Sequence, residues 1–243
     1  MTPKTLSVII PVFNERATIR EVLERVLAVD LAPLGLEIEL IVVDDGSRDG
    51  TREILKELEP VIPFVFHQAP VNRGKGAAIR AGLELVSGDL VIIQDADLEL
   101  DPREYARLVQ PILDGRARVV YGTRFGGGKV EGLPLLAFWA NKVLTMLTNL
   151  LYGARLTDME TCYKVFERDV IRGVRLTALR FEFEPEVTAK VLRLGHAIHE
   201  VPISFVPRSR AEGKKIRWWD GLQAIACLLR YRLAPRASLV KTP

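Results

Sequence analysis

Three acidic segments close apolar runs in the first hundred residues: Pro11-Val12-Phe13-Asn14-Glu15, Val43-Asp44-Asp45-Gly46-Ser47 and Gln94-Asp95-Ala96-Asp97-Leu98-Glu99. Two carboxylates one residue apart at a strand's end, as in Asp95 and Asp97, suit Mg2+ or Mn2+, which keep some water and complete their shell with substrate phosphates. That chemistry fits a nucleotide diphosphate. Singly, each acid has a plainer use: Glu15 and Asp49 favour helix N-termini, and Asp44 or Asp45 caps a turn. Three such loops at corresponding strand ends are harder to assign to capping, because the carboxyl ends of parallel strands form the ligand crevice of an open sheet.

The elements that carry these loops lie in the first 125 residues, where short apolar runs alternate with helical periodicity, the pattern of βαβ units and a mostly parallel sheet. Strands are expected at Leu6–Val12, Ile38–Val43, Phe64–Phe66, Asp89–Gln94 and Ala117–Tyr121. Ile19, Val22, Leu23, Val26 and Leu27 mark the first helix, with Thr18 placed as its cap. Beyond Gly126-Gly127-Gly128 the character changes: Gly132 to Ala154 carries one charged residue, Lys142. That length reaches a bilayer's span. Asn141, Thr145, Thr148 and Tyr152 nevertheless draw a polar stripe, with Phe138, Trp139, Val143, Leu147 and Leu150 on the rest, so an amphipathic helix at a surface or interface is the reading preferred. A helix over Pro185–Leu194, a strand over Ala197–Phe205 and a basic, tryptophan-bearing helix over Lys214–Leu233 complete a single domain, residues 1–243.

The chain of 243 residues is 48% hydrophobic and 27% charged, which excludes a disordered or fibrous protein. Its net charge of +3 leaves no global attraction for nucleic acid. Cys162 and Cys227 form no metal or disulfide pattern and suit a reducing cytoplasm, and Met1 to Leu6 enters a strand without a secretion signal. His67, His196 and His199 have no partner at zinc-ligand spacing. Asn72-Arg73-Gly74-Lys75-Gly76 lacks the phosphate-loop spacing and reads first as a turn opening a helix, with direct phosphate binding as the lesser alternative. Trp218 and Trp219, beside Lys214, Lys215 and Arg217, read as an interfacial anchor or as core.

The ordered segments PVFNE, VVDDGSRDGT, NRGKGAAIRAG, IIQDADLE and YGTRF resemble those of the family-2 glycosyltransferases with the nucleotide-sugar-binding GT-A fold. TDMETCYKVF, FEFEPEVTAKVLRLG and EVPISFVPRSRAEGKKI resemble the dolichol-phosphate mannose synthase branch and its bacterial polyprenyl-phosphate relatives, so that the likeness covers residues 6 to 233. It implies a Rossmann-like α/β sheet, with a nucleotide-sugar half, 1–125, and an acceptor half, 126–243, that carries amphipathic interfacial helices. Pro11, Phe13, Glu15, Val43 and Asp45 would then hold base and ribose; Asp95, Ala96 and Asp97 would face diphosphate and metal. Glu99 stands where relatives offer a further polar ligand, and its carboxylate departs from them; Phe13 stands where tyrosine is common. Arg124, Arg208 and Lys214 match phosphate-contacting cations, Lys215 competing for the lysine role, and Asp158 either orients acceptor-side groups or caps a turn.

The expected reaction is inverting, metal-dependent transfer of mannose or glucose from GDP or UDP to a polyprenyl or dolichyl phosphate, at the cytoplasmic membrane face. A lipid phosphate is already anionic and needs no strong general base. Arg124 and Arg208 are expected to contribute to turnover and little to stability. A peripheral attachment, with or without a membrane anchor protein, would bring the chain to its lipid. The rivals are a family-2 transferase using a hydroxyl acceptor and a nucleotide-sugar-binding accessory protein without turnover.

Overall fold

The computed structural model describes residues 4–126, 130, 132–208 and 218–241, residue 218 by its backbone only. Its strands are β1 (Lys4–Val12), β2 (Leu36–Asp44), β3 (Val65–Gln68), β4 (Leu90–Ile93), β5 (Val119–Thr123), β6 (Lys164–Glu167) and β7 (His199–Pro202). The helices are α1 (Ile19–Leu27), α2 (Thr51–Leu58), α3 (Lys75–Leu85), α4 (Tyr105–Leu113), α5 (Leu135–Tyr152), α6 (Arg168–Gly173), α7 (Phe183–Arg193) and α8 (Trp218–Leu233). One sheet runs in the order β3-β2-β1-β4-β6-β5-β7 among the described residues. The first four strands are mutually parallel, β6 runs antiparallel to both β4 and β5, and β7 is parallel to β5. This is the α/β, GT-A-like arrangement expected.

Burial on both faces explains the unbroken apolar runs of β1 and β4: Leu6, Val8, Ile9 and Ile10 are fully enclosed, as are Val91 and Ile92. α3 lies so close to β1 that a Cβ on Gly82 would meet Ile9 Cγ2 at 2.6 Å. Register does the positioning. Val12 pairs with Asp44 and Ile9 with Ile93, so the three acidic loops leave neighbouring strands on one side of the sheet.

β6 and α6 went unread in the sequence. β7 is shorter than the expected Ala197–Phe205, and the expected helix over Lys214–Leu233 is described from Trp218 onward, residues 214–217 lying outside the described residues. Thr18 does sit at the N-cap of α1, but its side chain makes no cap hydrogen bond; the hydroxyl donates to the Ala96 carbonyl at 2.6 Å.

Helix α5 is amphipathic, with its polar stripe turned inward. Asn141, Thr145 and Thr148 are buried, the first two hydrogen-bonded to the Asp158–Met159 segment, while Leu136 and Leu150 stand 82% and 81% exposed beside Leu135, Trp139 and Met146. Tyr152 extends the stripe, its hydroxyl donating to the Leu228 carbonyl at 2.5 Å. No helix among the described residues is long and apolar enough to cross a membrane.

Candidate active site

The first two acidic loops are stitched together by backbone donors. Asn14, at φ 51° in a left-handed conformation uncommon for a residue with a side chain, donates its N–H to Ser47 Oγ and accepts the Arg48 N–H at Oδ1, at 2.9 and 2.8 Å. The Glu15 N–H donates to Thr51 Oγ1 at 2.9 Å. Asp44 is buried beneath, accepting from the Ser47 N–H and from Arg52 Nε, at 2.9 and 2.6 Å. These bonds fix Pro11, Phe13 and Glu15, all half-buried, next to the buried Val43.

Asp45, expected at the base, is itself buried and accepts from Asn72 Nδ2 and the N–H groups of Arg73 and Gly74, at 2.8, 2.9 and 2.6 Å. Burial raises its pKa above the usual carboxylate value despite those donors. It thereby anchors the Asn72–Gly74 turn, whose Gly74 has φ 104° and no room for a side chain, a Cβ there lying 2.5 Å from the Leu179 carbonyl oxygen. The expected turn opening α3 is therefore present.

Helix α3 begins at Lys75, and the lysine does more than end that turn. Its ammonium lies 2.8 Å from Asp95 Oδ1 and 3.1 Å from Glu184 Oε1. On the other side, Arg208 spans the carboxylates: Nη2 donates to Asp97 at 2.6 Å and Nη1 to Glu15 Oε2 at 3.1 Å. The Arg208 N–H donates to Glu99 Oε1 at 2.7 Å. Burial, then Asp95 and Glu99, pushes Asp97 up to about 7. Burial acts to raise Asp95 too, yet Lys75 and Arg208 hold it below the usual range. Leu98, between Asp97 and Glu99, has φ 61°, and such strain in a non-glycine residue persists where surrounding bonds enforce it.

These residues fit a divalent cation in their chemistry. Asp95 and Asp97 offer hard oxygen donors, and burial first, then the neighbouring carboxylates Asp95 and Glu99, disfavour the charged form of Asp97, which a cation would stabilise. No group of three His, Cys, Asp or Glu converges on one point among the described residues. An ion at Asp95 and Asp97 would thus draw its remaining ligands from water and substrate phosphates. Glu99, expected as a third ligand, has Oε1 engaged by the Arg208 N–H.

Across the site, Arg124 forks onto Asp158, with Nε to Oδ2 and Nη2 to Oδ1 both 2.7 Å. Asp158 is fully buried and also accepts from Asn141 Nδ2 at 2.9 Å, while its own N–H donates to Glu200 at 3.0 Å. Burial opposes its charge, but Arg124 and Asn141 keep its pKa below the usual range, and Arg124 stays above its own. The guanidinium carbon lies 5.0 Å from the centre of the Phe205 ring, a cation–π distance. Asp158 thus acts by holding Arg124. Lys214 lies outside the described residues. Sequence reading missed Lys75 as a neighbour of Asp95, and missed Glu184 and Lys164 altogether; the lysine of NRGKG was the available signal.

A mixed α/β sheet with a carboxylate pair at the end of a central strand defines the class, and direct comparison gives the family. Residues 7–175 match the model described as glycosyl transferase family 2. The chain belongs to that family. It is 31% identical over 212 residues to a dolichol-phosphate mannosyltransferase of Pyrococcus furiosus and 32% over 213 to an undecaprenyl-phosphate 4-deoxy-4-formamido-L-arabinose transferase of Pseudomonas fluorescens. Each match takes in 86% of the chain but spans only 58% and 59% of those relatives' lengths. A polyprenol monophosphomannose synthase of Mycolicibacterium smegmatis is 32% identical over 89% of the chain and 84% of its own length. Among solved structures, glucosyl-3-phosphoglycerate synthase of Mycobacterium tuberculosis, in complex with Mn2+, UDP and glucosyl-3-phosphoglycerate, superposes with a TM-score of 0.69 at 26% identity, covering 96% of this chain and 81% of that one. The same enzyme with Mg2+ and UDP gives 0.67 at 26%, covering 96% and 80%.

Proposed function

We propose that this chain transfers a hexose, mannose or glucose, with inversion from a GDP- or UDP-sugar to a polyprenyl or dolichyl phosphate, using Mg2+ or Mn2+. The carrying observation is the Asp95 and Asp97 pair at the end of β4, flanked by the cations Lys75 and Arg208. In this reading residues 1–125 supply the donor site and 126–243 the acceptor side. Asp95 and Asp97 hold the divalent ion, which when bound neutralises charge on the departing diphosphate. Arg208 adds a planar guanidinium suited to a phosphate oxyanion. Arg124, oriented by Asp158, receives the acceptor phosphate. That phosphate is anionic at neutral pH, so direct displacement needs no base to strip a proton from it.

The names of the three curated relatives, each a lipid-phosphate glycosyltransferase, support this acceptor class. The outward apolar face of α5 supports peripheral contact with a membrane surface, which in this reading is the cytoplasmic one, reached alone or with a membrane anchor protein. A second reading, a hydroxyl on a small phosphorylated acceptor, is favoured by the phosphoglycerate product bound in the structural relative.

Purified chain, labelled GDP- and UDP-sugars and Mg2+ or Mn2+ should move label into organic solvent with polyprenyl phosphate and leave it in water with polyprenol. Asp97→Asn should abolish this transfer. Transfer to 3-phosphoglycerate without lipid product would replace the first reading by the second. Binding of nucleotide sugar with no transfer to either acceptor would leave an accessory protein.

A further inference from the structure

Four charged side chains alternate from the end of β4 to the starts of β6 and α7. Lys75 Nζ lies 2.8 Å from Asp95 Oδ1 and 3.1 Å from Glu184 Oε1, and Glu184 Oε2 accepts from Lys164 Nζ at 2.6 Å. Lys164, fully buried, also donates to the carbonyls of Met159 and Thr161. The line divides in the middle: Lys75 and Asp95 keep partly exposed side chains, whereas Glu184 and Lys164 are enclosed. Moreover, Glu184 Oε1 is buried and makes no aligned hydrogen bond, so the Lys75 ammonium 3.1 Å away is its charge partner. An ammonium has three donors, and a small turn about the Lys75 side chain would align one of them on that oxygen without losing the ion pair.

We propose that Lys75 is an internal counter-cation of Asp95 that gives way to a divalent ion, with Glu184 as the seat it keeps when it does so. The proposal rests on Asp95 and Asp97 being the metal ligands. A metal ion arriving alone must displace Lys75 from Asp95 and the Arg208 guanidinium from Asp97, so two ion pairs break for one ion bound. A nucleotide diphosphate arriving with the ion gives both displaced cations new anionic partners. Metal and nucleotide therefore strengthen each other's binding, and by linkage they do so equally. Glu184 and Lys164 are positioning residues in this scheme. Glu184 keeps the released ammonium paired, since an unpaired buried charge is costly. Lys164 balances the other Glu184 oxygen, so Glu184 stays between the two lysines.

The test is Mn2+ binding by the whole chain, followed by the paramagnetic signal of free Mn2+, with and without GDP or UDP, with melting temperature recorded for every variant. Wild type should bind Mn2+ alone weakly, and a nucleotide diphosphate should tighten it at least about tenfold, within the range of ordinary coupling. Lys75→Met should tighten binding of Mn2+ alone at least about fivefold, as expected on removing a cation this close, and should shrink the coupling. Lys75→Arg should restore wild-type behaviour. Glu184→Gln should weaken binding of Mn2+ alone, because Lys75 then has only Asp95. Should Lys75→Met melt below the assay temperature, Lys75→Gln, a donor without charge, must give the same tightening. Unchanged or weaker Mn2+ binding in a folded, uncharged Lys75 variant overturns the proposal. Wild-type Mn2+ affinity in Asp97→Asn would instead overturn the metal site on which it rests.

Discussion

Helices α1 and α5 each carry one polar and one apolar face, and they aim them in opposite directions. α1 buries Ile19, Val22, Leu23 and Val26 against the sheet and leaves Glu21 and Arg25 outside, paired at 2.5 Å. α5 buries Asn141, Thr145 and Thr148 and leaves leucines, Trp139 and Met146 outside. The reason lies beneath α5. Asn141 supplies a donor to the buried Asp158, Thr145 donates to Asn141 Oδ1 at 3.1 Å and accepts the Met159 N–H at 3.1 Å, and Asn149 exchanges two bonds of 2.8 Å with Leu156. A buried carboxylate and the loop around it demand polar partners. The apolar residues of α5 are left to face whatever lies outside.

Breaking that internal demand should have the largest effect. Asp158→Ala strands the Arg124 guanidinium in a buried site and should cost about 3–5 kcal/mol, as for other buried pairs broken on one side, read as a shift in the urea midpoint. Arg124→Ala should destabilise as well, by stranding Asp158; this corrects the expectation that Arg124 adds little to stability, because its partner carboxylate is fully buried. The same pair sets a pH slope. The folded pKa of Asp158 is depressed, so its contribution is complete above the unfolded value near pH 4 and is lost as pH falls through the folded one. Asp158→Asn should flatten that acid limb; an unchanged limb would mean the pair contributes nothing.

Asn141→Leu should follow, at about 1–3 kcal/mol, because Asp158 and Thr145 each lose a partner. A neutral result would show that the inward polar stripe is incidental. On the outer face, Leu136→Ser with Leu150→Ser should change stability by no more than about 0.5 kcal/mol each, yet reduce flotation with anionic liposomes. Wild-type flotation should fall with salt, as screening weakens the basic residues' attraction. Flotation untouched by these substitutions would move the membrane-facing surface elsewhere, α8 with its exposed Trp219 being the next to alter. The smallest effect belongs to α1: Arg25→Ala should cost about 0.3–0.5 kcal/mol, the scale of an exposed helical ion pair.

The central parallel strands β1 and β4 were legible because strands enclosed on both faces show as unbroken apolar runs. β6 was not, since Lys164-Val165-Phe166-Glu167 is four residues long and its lysine is enclosed at a position where composition suggests exposure. Periodicity drew the polar stripe of α5 correctly but could not tell which side meets the protein, for that depends on Asp158 in a later segment. The carboxylate pair could be read from spacing alone. Its cations could not, because Lys75 lies 20 residues from Asp95 and Arg208 lies 111 from Asp97.

Strand β6 also bears on how the chain is made. It sits between β4 and β5 but follows both in the sequence, so a growing chain that has reached Thr123 still lacks the strand that joins them. Until Lys164–Glu167 emerges, the open side of β4 is a row of unpaired backbone groups, a template for pairing with another chain. At ordinary synthesis rates that exposure lasts on the order of seconds. A fragment cut at residue 125 would make it permanent, and such a fragment should aggregate where the whole chain folds.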